Sequence, residues 1–129
     1  MRRLILFWVF AALSCNAAAE WVIVNDHDEY VAYADPASIQ RDGDKVTMSD
    51  LIDHRSQRSS PLGNLHVSST AHSEFDCGLP RMRTIAFTLY AGQMGNGEVV
   101  EAIAEYDSWI PVAPGTLLNI LWQFACGTG

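Results

Sequence analysis

Residues Pro114–Gly127 read PGTLLNILWQFACG, and here the periodicity of the chain changes. Leu117, Leu118, Ile120, Leu121, Phe124 and Ala125 recur at helical spacing. Pro114-Gly115-Thr116 opens the segment, and Gly127 suits a left-handed cap at its end. What lies between Glu20 and this helix reads as strands and turns. One amphipathic helix packed on an antiparallel sheet buries both apolar surfaces in two layers. The expected fold class is α+β: an antiparallel β-sheet meander of about five to six strands against one C-terminal α-helix.

The strands are read from alternation and from the turns between them. Glu20–Asn25 (EWVIVN) and Glu29–Ala34 (EYVAYA) are β-rich, and Asp35-Pro36-Ala37-Ser38 is expected to end the second in a capped turn. Arg41-Asp42-Gly43-Asp44 is a hairpin turn leading into Lys45–His54, where the alternation of Val46 and Met48 loses phase and predicts a bulge near Leu51 and Ile52. Arg55–Leu65 is polar, contains Pro61 and Gly63, and is expected to be a mobile loop. Val67–Cys77 is a further strand, Gly78-Leu79-Pro80 a turn, and Arg81–Tyr90 (RMRTIAFTLY) a strand with Ile85, Phe87 and Leu89 on one face. Asn96-Gly97 marks a tight turn before Glu98–Tyr106, read as a strand rather than a short helix.

The first nineteen residues have the grammar of a secretory signal. Arg2 and Arg3 precede the apolar run Leu4–Leu13, which is too short to span a bilayer. Ala17-Ala18-Ala19 meets the small-x-small rule, so cleavage is expected between Ala19 and Glu20. The competing reading is lipidation at Cys15, but Ala12-Leu13-Ser14 before it is a poor lipoprotein site. The chain thus divides into a signal peptide, 1–19, and one domain, 20–129. Cleavage would leave 110 residues and only two cysteines, Cys77 and Cys126. In an oxidising compartment an even pair implies a disulfide.

The whole chain carries a formal charge of −7, and losing Arg2 and Arg3 with the signal would take it to −9. Such a balance argues against binding nucleic acid or anionic lipid and favours a cationic partner. Chemistry-bearing motifs are few. Asp26-His27-Asp28 and Asp53-His54 have no metal-site spacing, and no G-x-S-x-G or phosphate-loop pattern occurs. Tyr90–Gly97 (YAGQMGNG) is rich in glycine but lacks a Lys, and reads as an irregular hairpin loop. No catalytic, cofactor-binding or metal-ligating residue is nominated. If Gly78-Leu79 makes a tight hairpin, Asp76 faces Arg81 and Glu74 faces Arg83. Both arginines share parity with Ile85, so they lie at the rim of the buried face or a bulge shifts the phase. The sharper alternative is an arginine site for a carboxylate ligand. Trp109, Pro111, Pro114 and Trp122 close the end of a core or form a partner-binding patch.

Several stretches together resemble the surface-adhesin protein E family, small exported proteins of Gram-negative bacteria. They are Tyr33-Ala34-Asp35-Pro36-Ala37-Ser38-Ile39, Glu74-Phe75-Asp76-Cys77, Arg81-x-Arg83-x-Ile85 and Tyr90-x-Gly92-x-Met94-Gly95-x-Gly97. Trp109-x-Pro111-Val112-x-Pro114-Gly115-Thr116 and Trp122-x-x-Ala125-Cys126-Gly127 complete the series. The resemblance covers nearly all of the expected mature chain. It implies an antiparallel sheet with a C-terminal helix and a Cys77–Cys126 bond, as the residues do independently. It also implies adhesion to host matrix or serum proteins.

The sequence is accordingly expected to encode a non-enzymatic, exported binding protein of the bacterial envelope, in the periplasm or at the outer membrane and cell surface. Its partner would be a host matrix protein or an envelope protein, and a homodimer is one assembly open to it. The alternative is a soluble periplasmic accessory or inhibitor protein that binds a basic protein. Membrane attachment is expected only through Cys15.

Overall fold

The computed structural model describes residues 19–104 and 107–127. The signal segment, including Cys15, lies outside the described residues except for Ala19 at its end. Seven strands form one antiparallel sheet: β1 (Val22–Asp26), β2 (Tyr30–Asp42), β3 (Lys45–Ser59), β4 (Leu65–Asp76), β5 (Arg81–Tyr90), β6 (Val99–Ile103) and β7 (Ile110–Pro111). β1 to β6 are neighbours in chain order, and β7 pairs with the start of β5 beside β6. The helix α1 spans Leu117–Cys126.

The helix begins and ends where its sequence chemistry dictates. Thr116 Oγ1 accepts from Asn119 N at 3.2 Å and donates to Ala113 O at 2.7 Å. That satisfies one of the orphan N–H groups of the first turn. Gly127 adopts φ 70° and returns its N–H to Gln123 O and Phe124 O, as a left-handed cap requires. Arg41 Nη2 donates to Cys126 O at 3.1 Å, placing a cation at the negative end of the helix.

The apolar stripe of α1 lies on one sheet face. Ala34, Val46, Met48, Phe75 and Met82 from four adjacent strands meet Val112, Leu121 and Ala125 in the main core. Phe75 is the largest fully buried side chain, and Val46↔Phe75↔Met82 forms one row across three strands. The opposite face is covered at one end by the Gly92–Gly97 loop, whose single 3₁₀ turn, Gln93–Gly95, seats Gly95 over Leu51 and Thr70. A Cβ on Gly92 would come within 2.7 Å of Asn96 O, so only glycine closes this loop. Ser68 Oγ donates to Gly92 O and accepts from Gly95 N, and Asp53 Oδ1 accepts from Met94 N.

Strand ends and bulges differ from the sequence reading in several places. β2 does not stop at Pro36: its pairing with β3 is interrupted between Asp35 and Gln40 and then resumes. Asp35 Oδ1 accepts from Ala37 N, and Ser38 Oγ donates to Asp35 O and accepts from Ser49 N. Side-chain oxygens thus replace the missing ladder bonds, which makes a bulge rather than an end. No break occurs at Leu51 and Ile52, which pair in register with both neighbours; the β3–β4 register shifts after Asp53 instead. Arg55–Ser59 belongs to β3, and the chain turns only at Ser60–Asn64, where Gly63 N donates to Ser60 O. In β5, Ile85 is the extra residue of a bulge between Ala86, opposite His72, and Thr84, opposite Ser73. Met82 before it and Leu89 after it are both buried although of opposite parity, as one extra residue between them requires.

Removing the Phe75 ring should leave a void between β4 and α1. Phe75→Ala is expected to lower stability by about 3–5 kcal/mol, measured by denaturant unfolding.

Candidate binding surfaces

The disulfide corner gathers bonds from β3, β4, β5 and α1. Cys77 and Cys126 are joined with their Cα atoms 5.7 Å apart, linking the end of β4 to the end of α1. Beside them Asp76 is buried and carries several bonds. Its carboxylate accepts from Gly78 N, Leu79 N and Arg81 Nε at 3.0, 3.1 and 2.8 Å, with Lys45 Nζ at 3.5 Å. Its carbonyl accepts from Trp122 Nε1 at 2.8 Å. The Arg81 bond, with help from the two backbone N–H groups and Lys45, holds the Asp76 carboxyl down to about 2 against the opposing effect of burial. A carboxyl depressed in this way supports the fold above its ordinary pKa and loses that contribution as pH falls toward 2.

The predicted hairpin register holds: Asp76 faces Arg81 and Glu74 faces Arg83. Arg83 Nε lies 2.7 Å from Glu74 Oε1. Both guanidinium groups also stack on Trp109, 4.4 and 4.6 Å from the ring, an arrangement favoured by the ring quadrupole. The arginines are thus bound to acids and an aromatic face, and serve to anchor the segment before α1. Trp122 packs against the main core.

The histidines lie apart. His27 stacks on Tyr30 in an exposed turn and accepts from Glu29 N. His54 meets His66 edge to face at 5.6 Å, in a cavity of about 290 Å³ with Arg58, Glu101 and Leu89 on its walls. Burial, with the nearby Arg58 and His66 charges, lowers the His54 pKa. Glu101 Oε1 accepts from Ser60 Oγ and Asn64 Nδ2. His72 belongs to neither group: its Nδ1 lies 3.0 Å from Ser49 Oγ on the face opposite the helix. Among the described residues, no group of three or more His, Cys, Asp or Glu is arranged to hold a metal ion.

Two features escaped the sequence reading. Asp50 continues the parity of Val46 and Met48, and so sits on the core face between Ala34 and Ala71. It is 5 % exposed and pairs with no cation among the described residues; desolvation pushes its pKa up to about 7. The second feature is a cavity of about 300 Å³ on the opposite face, bordered by Trp21, Asp35, Ser49, Thr70, His72 and Thr88. The parity of Val46 and Met48 could have pointed to Asp50, whereas the cavity depends on the cross-strand register, for which alternation within one strand carries no signal. Exposed apolar residues include Val22 and Ile23 on β1 and Val99 and Ile103 on β6, at the two edges of the sheet, besides Leu62, Leu65, Leu79 and Ile110. Ile23 and Val24 also border an open groove with Ile120 and Phe124 of α1.

With this geometry in hand, comparison with known proteins is decisive for the family. A profile described as surface-adhesin protein E matches residues 21–127, the whole folded domain. The chain belongs to the surface-adhesin protein E family. Solved structures of Haemophilus influenzae protein E share the fold. Its selenomethionine form aligns with TM-score 0.58 at 17% identity, over 81% of this chain and 91% of that one. Its crystal form II gives 0.59 at 15% identity, over 81% and 91%. A structure of protein E from a non-typeable strain gives 0.52 at 16% identity, over 80% and 78%. No curated protein matches the sequence closely enough to count as a relative. At such identities the structural likeness concerns the fold, and family membership makes the chain an adhesin-type protein.

Asp50 gives this family member a testable pH dependence. Its raised pKa means that the folded state holds a proton which the unfolded chain releases near 3.8. The stability this supports is complete below about 3.8 and is lost as pH rises to about 7. Asp50→Asn, neutral at every pH, should match the parent near pH 4 and exceed it above pH 7 by up to about 4 kcal/mol. His54 contributes the opposite slope in both proteins, so the difference between their unfolding curves isolates Asp50.

Proposed function

We propose that this chain is an exported, non-enzymatic envelope protein that acts as an adhesin by contacting host matrix or serum proteins. The family match over residues 21–127 is the observation that carries this reading. Residues 1–19 act as the signal, and the working protein begins at Glu20 with its one disulfide formed. Free β-edges with exposed Val22, Ile23, Val99 and Ile103 are consistent with a protein partner, because unpaired edge groups and apolar side chains are what another chain can cover.

The second reading, a soluble periplasmic accessory protein with a basic partner, draws on the acid excess of 15 Asp and Glu against 8 Lys and Arg. Many of these acids are exposed, among them Asp26, Asp28, Glu29, Asp42, Asp44 and Asp107. Contacts made by exposed charges weaken steeply with salt.

Fractionation and a binding assay separate the two. Under the adhesin reading, the chain is exposed to the outside of the cell, with an intact mass that starts at Glu20 and rises by two hydrogens on reduction; a mass that starts at a lipidated Cys15 would place it at the outer membrane. It also binds immobilised matrix or serum protein saturably, with little dependence on salt. A chain confined to the soluble periplasm that fails to bind beside a positive-control adhesin contradicts that reading. Capture of a basic envelope protein, lost at high salt, supports the second.

A further inference from the structure

The cavity on the face opposite α1 has a lining that selects a ligand class. Asp35, Ser49, His72 and Ala86 form one cross-strand row, and Thr70 and Thr88 lie opposite each other nearby in the same face. Trp21, next in the chain to Val22, stands at the wall, and Ala71 and Phe87 supply further lining. The volume, about 300 Å³, lies at the small end of ligand sites.

The polar groups are poised rather than consumed. Asp35 is only 8 % exposed; its Oδ1 accepts from Ala37 N, while Oδ2 has no partner among the described residues. Ser49 Oγ engages His72 Nδ1 at 3.0 Å, which fixes the ring and leaves Nε2 without a partner among the described residues. Thr88 adds a hydroxyl, and among the described residues Thr70 Oγ1 reaches the Tyr90 hydroxyl alone, at 3.4 Å. Among the described residues no Lys or Arg lines the cavity, so an anionic ligand would meet Asp35 with no compensating cation there. A wholly apolar ligand would strip water from Asp35 and His72 and return no hydrogen bonds. An ammonium ion would suit Asp35 and Trp21 but would leave the hydroxyl and imidazole donors unpaired. A neutral ring with one apolar face and a rim of hydroxyl groups meets every part of the lining.

We propose that this cavity binds a neutral pyranose unit, stacked on Trp21 and hydrogen-bonded through adjacent hydroxyls to Asp35 and His72, with Thr70 and Thr88 at its edge. This site goes beyond the protein-contact reading and does not depend on it.

The test is an NMR titration of the chain from Glu20, disulfide intact and without Ala19, which also borders the cavity, with the methyl glycosides of galactose, glucose and N-acetylglucosamine. Millimolar binding should shift the Trp21 indole N–H and the His72 ring signals while leaving the Trp122 indole signal in place. Trp21→Ala should weaken binding about tenfold or more, and Trp21→Phe should retain most of it. Thr88→Val, which keeps the shape and removes a hydroxyl, should weaken it severalfold without changing the rest of the spectrum. Glycans released from host glycoproteins and from the bacterial envelope then distinguish the two sources of such a ring. The proposal is overturned if no neutral glycoside shifts these signals in the folded chain, or if Trp21→Ala and Thr88→Val bind as the parent does. It is equally overturned if tetramethylammonium shifts them and the glycosides do not.

Discussion

The bond between Cys77 and Cys126 is the constraint on which the rest of this structure depends. A helix of ten residues is marginal in water by itself. Here it also forms one whole layer of the main core, covering Val46, Met48, Phe75 and Met82. The disulfide fastens its last residue to the end of β4 and closes a loop of sequence separation 49. In the chain-entropy account a loop of that size contributes about 4 kcal/mol. The neighbouring bonds make the corner stiff: Asp76 holds the β4–β5 turn and Arg81, Trp122 reaches back to Asp76, and Arg41 caps the helix end. Arg81 and Arg83 in turn grip Trp109, which leads through Val112 into the helix.

With the helix fixed at one end of the sheet, the two faces take different roles. The covered face is mostly apolar, with Ser73 and Asp50 buried in it, and the burial of Asp50 without a cation among the described residues is a cost the fold bears at neutral pH. The other face is closed over Leu51 by the glycine loop, itself held by Asp53 and Ser68, and stays open farther along at Ser49 and His72. Scaffold and surface are thereby separated. Stability rests on the corner and the helix, while the open face and the β1 and β6 edges are available for contact. This division suits a family of adhesins, in which a shared fold can present different surfaces.

Much of the scaffold was legible in the sequence because its signals are local. The helix, its Thr116 and Gly127 caps, the cysteine pair and the Asp76–Arg81 register each follow from residues a few positions apart or from counting. The continuation of β2 beyond Pro36 was not legible, because it relies on the Ser38 hydroxyl standing in for ladder bonds to a strand eleven residues away. The phase of Arg81 and Arg83 stayed open until the bulge at Ile85 resolved it. The same limit hid the open cavity: Asp35, Ser49 and His72 lie on three strands and become neighbours only through register. Arg55–Ser59 reads as loop by composition, yet it extends β3 and pairs at Arg58 and Ser59 with β4.

The most direct test of this account is the unfolding free energy of the oxidised chain against that of the Cys77→Ser, Cys126→Ser double variant, with hydrogen exchange followed in α1. The account predicts a loss of about 4 kcal/mol. It also predicts that the α1 amides become the first in the folded domain to lose protection, with Val46, Met48 and Phe75 opening to solvent beneath them. Equal unfolding midpoints and an α1 as protected as the central strands would show that packing alone holds the helix, and would contradict it.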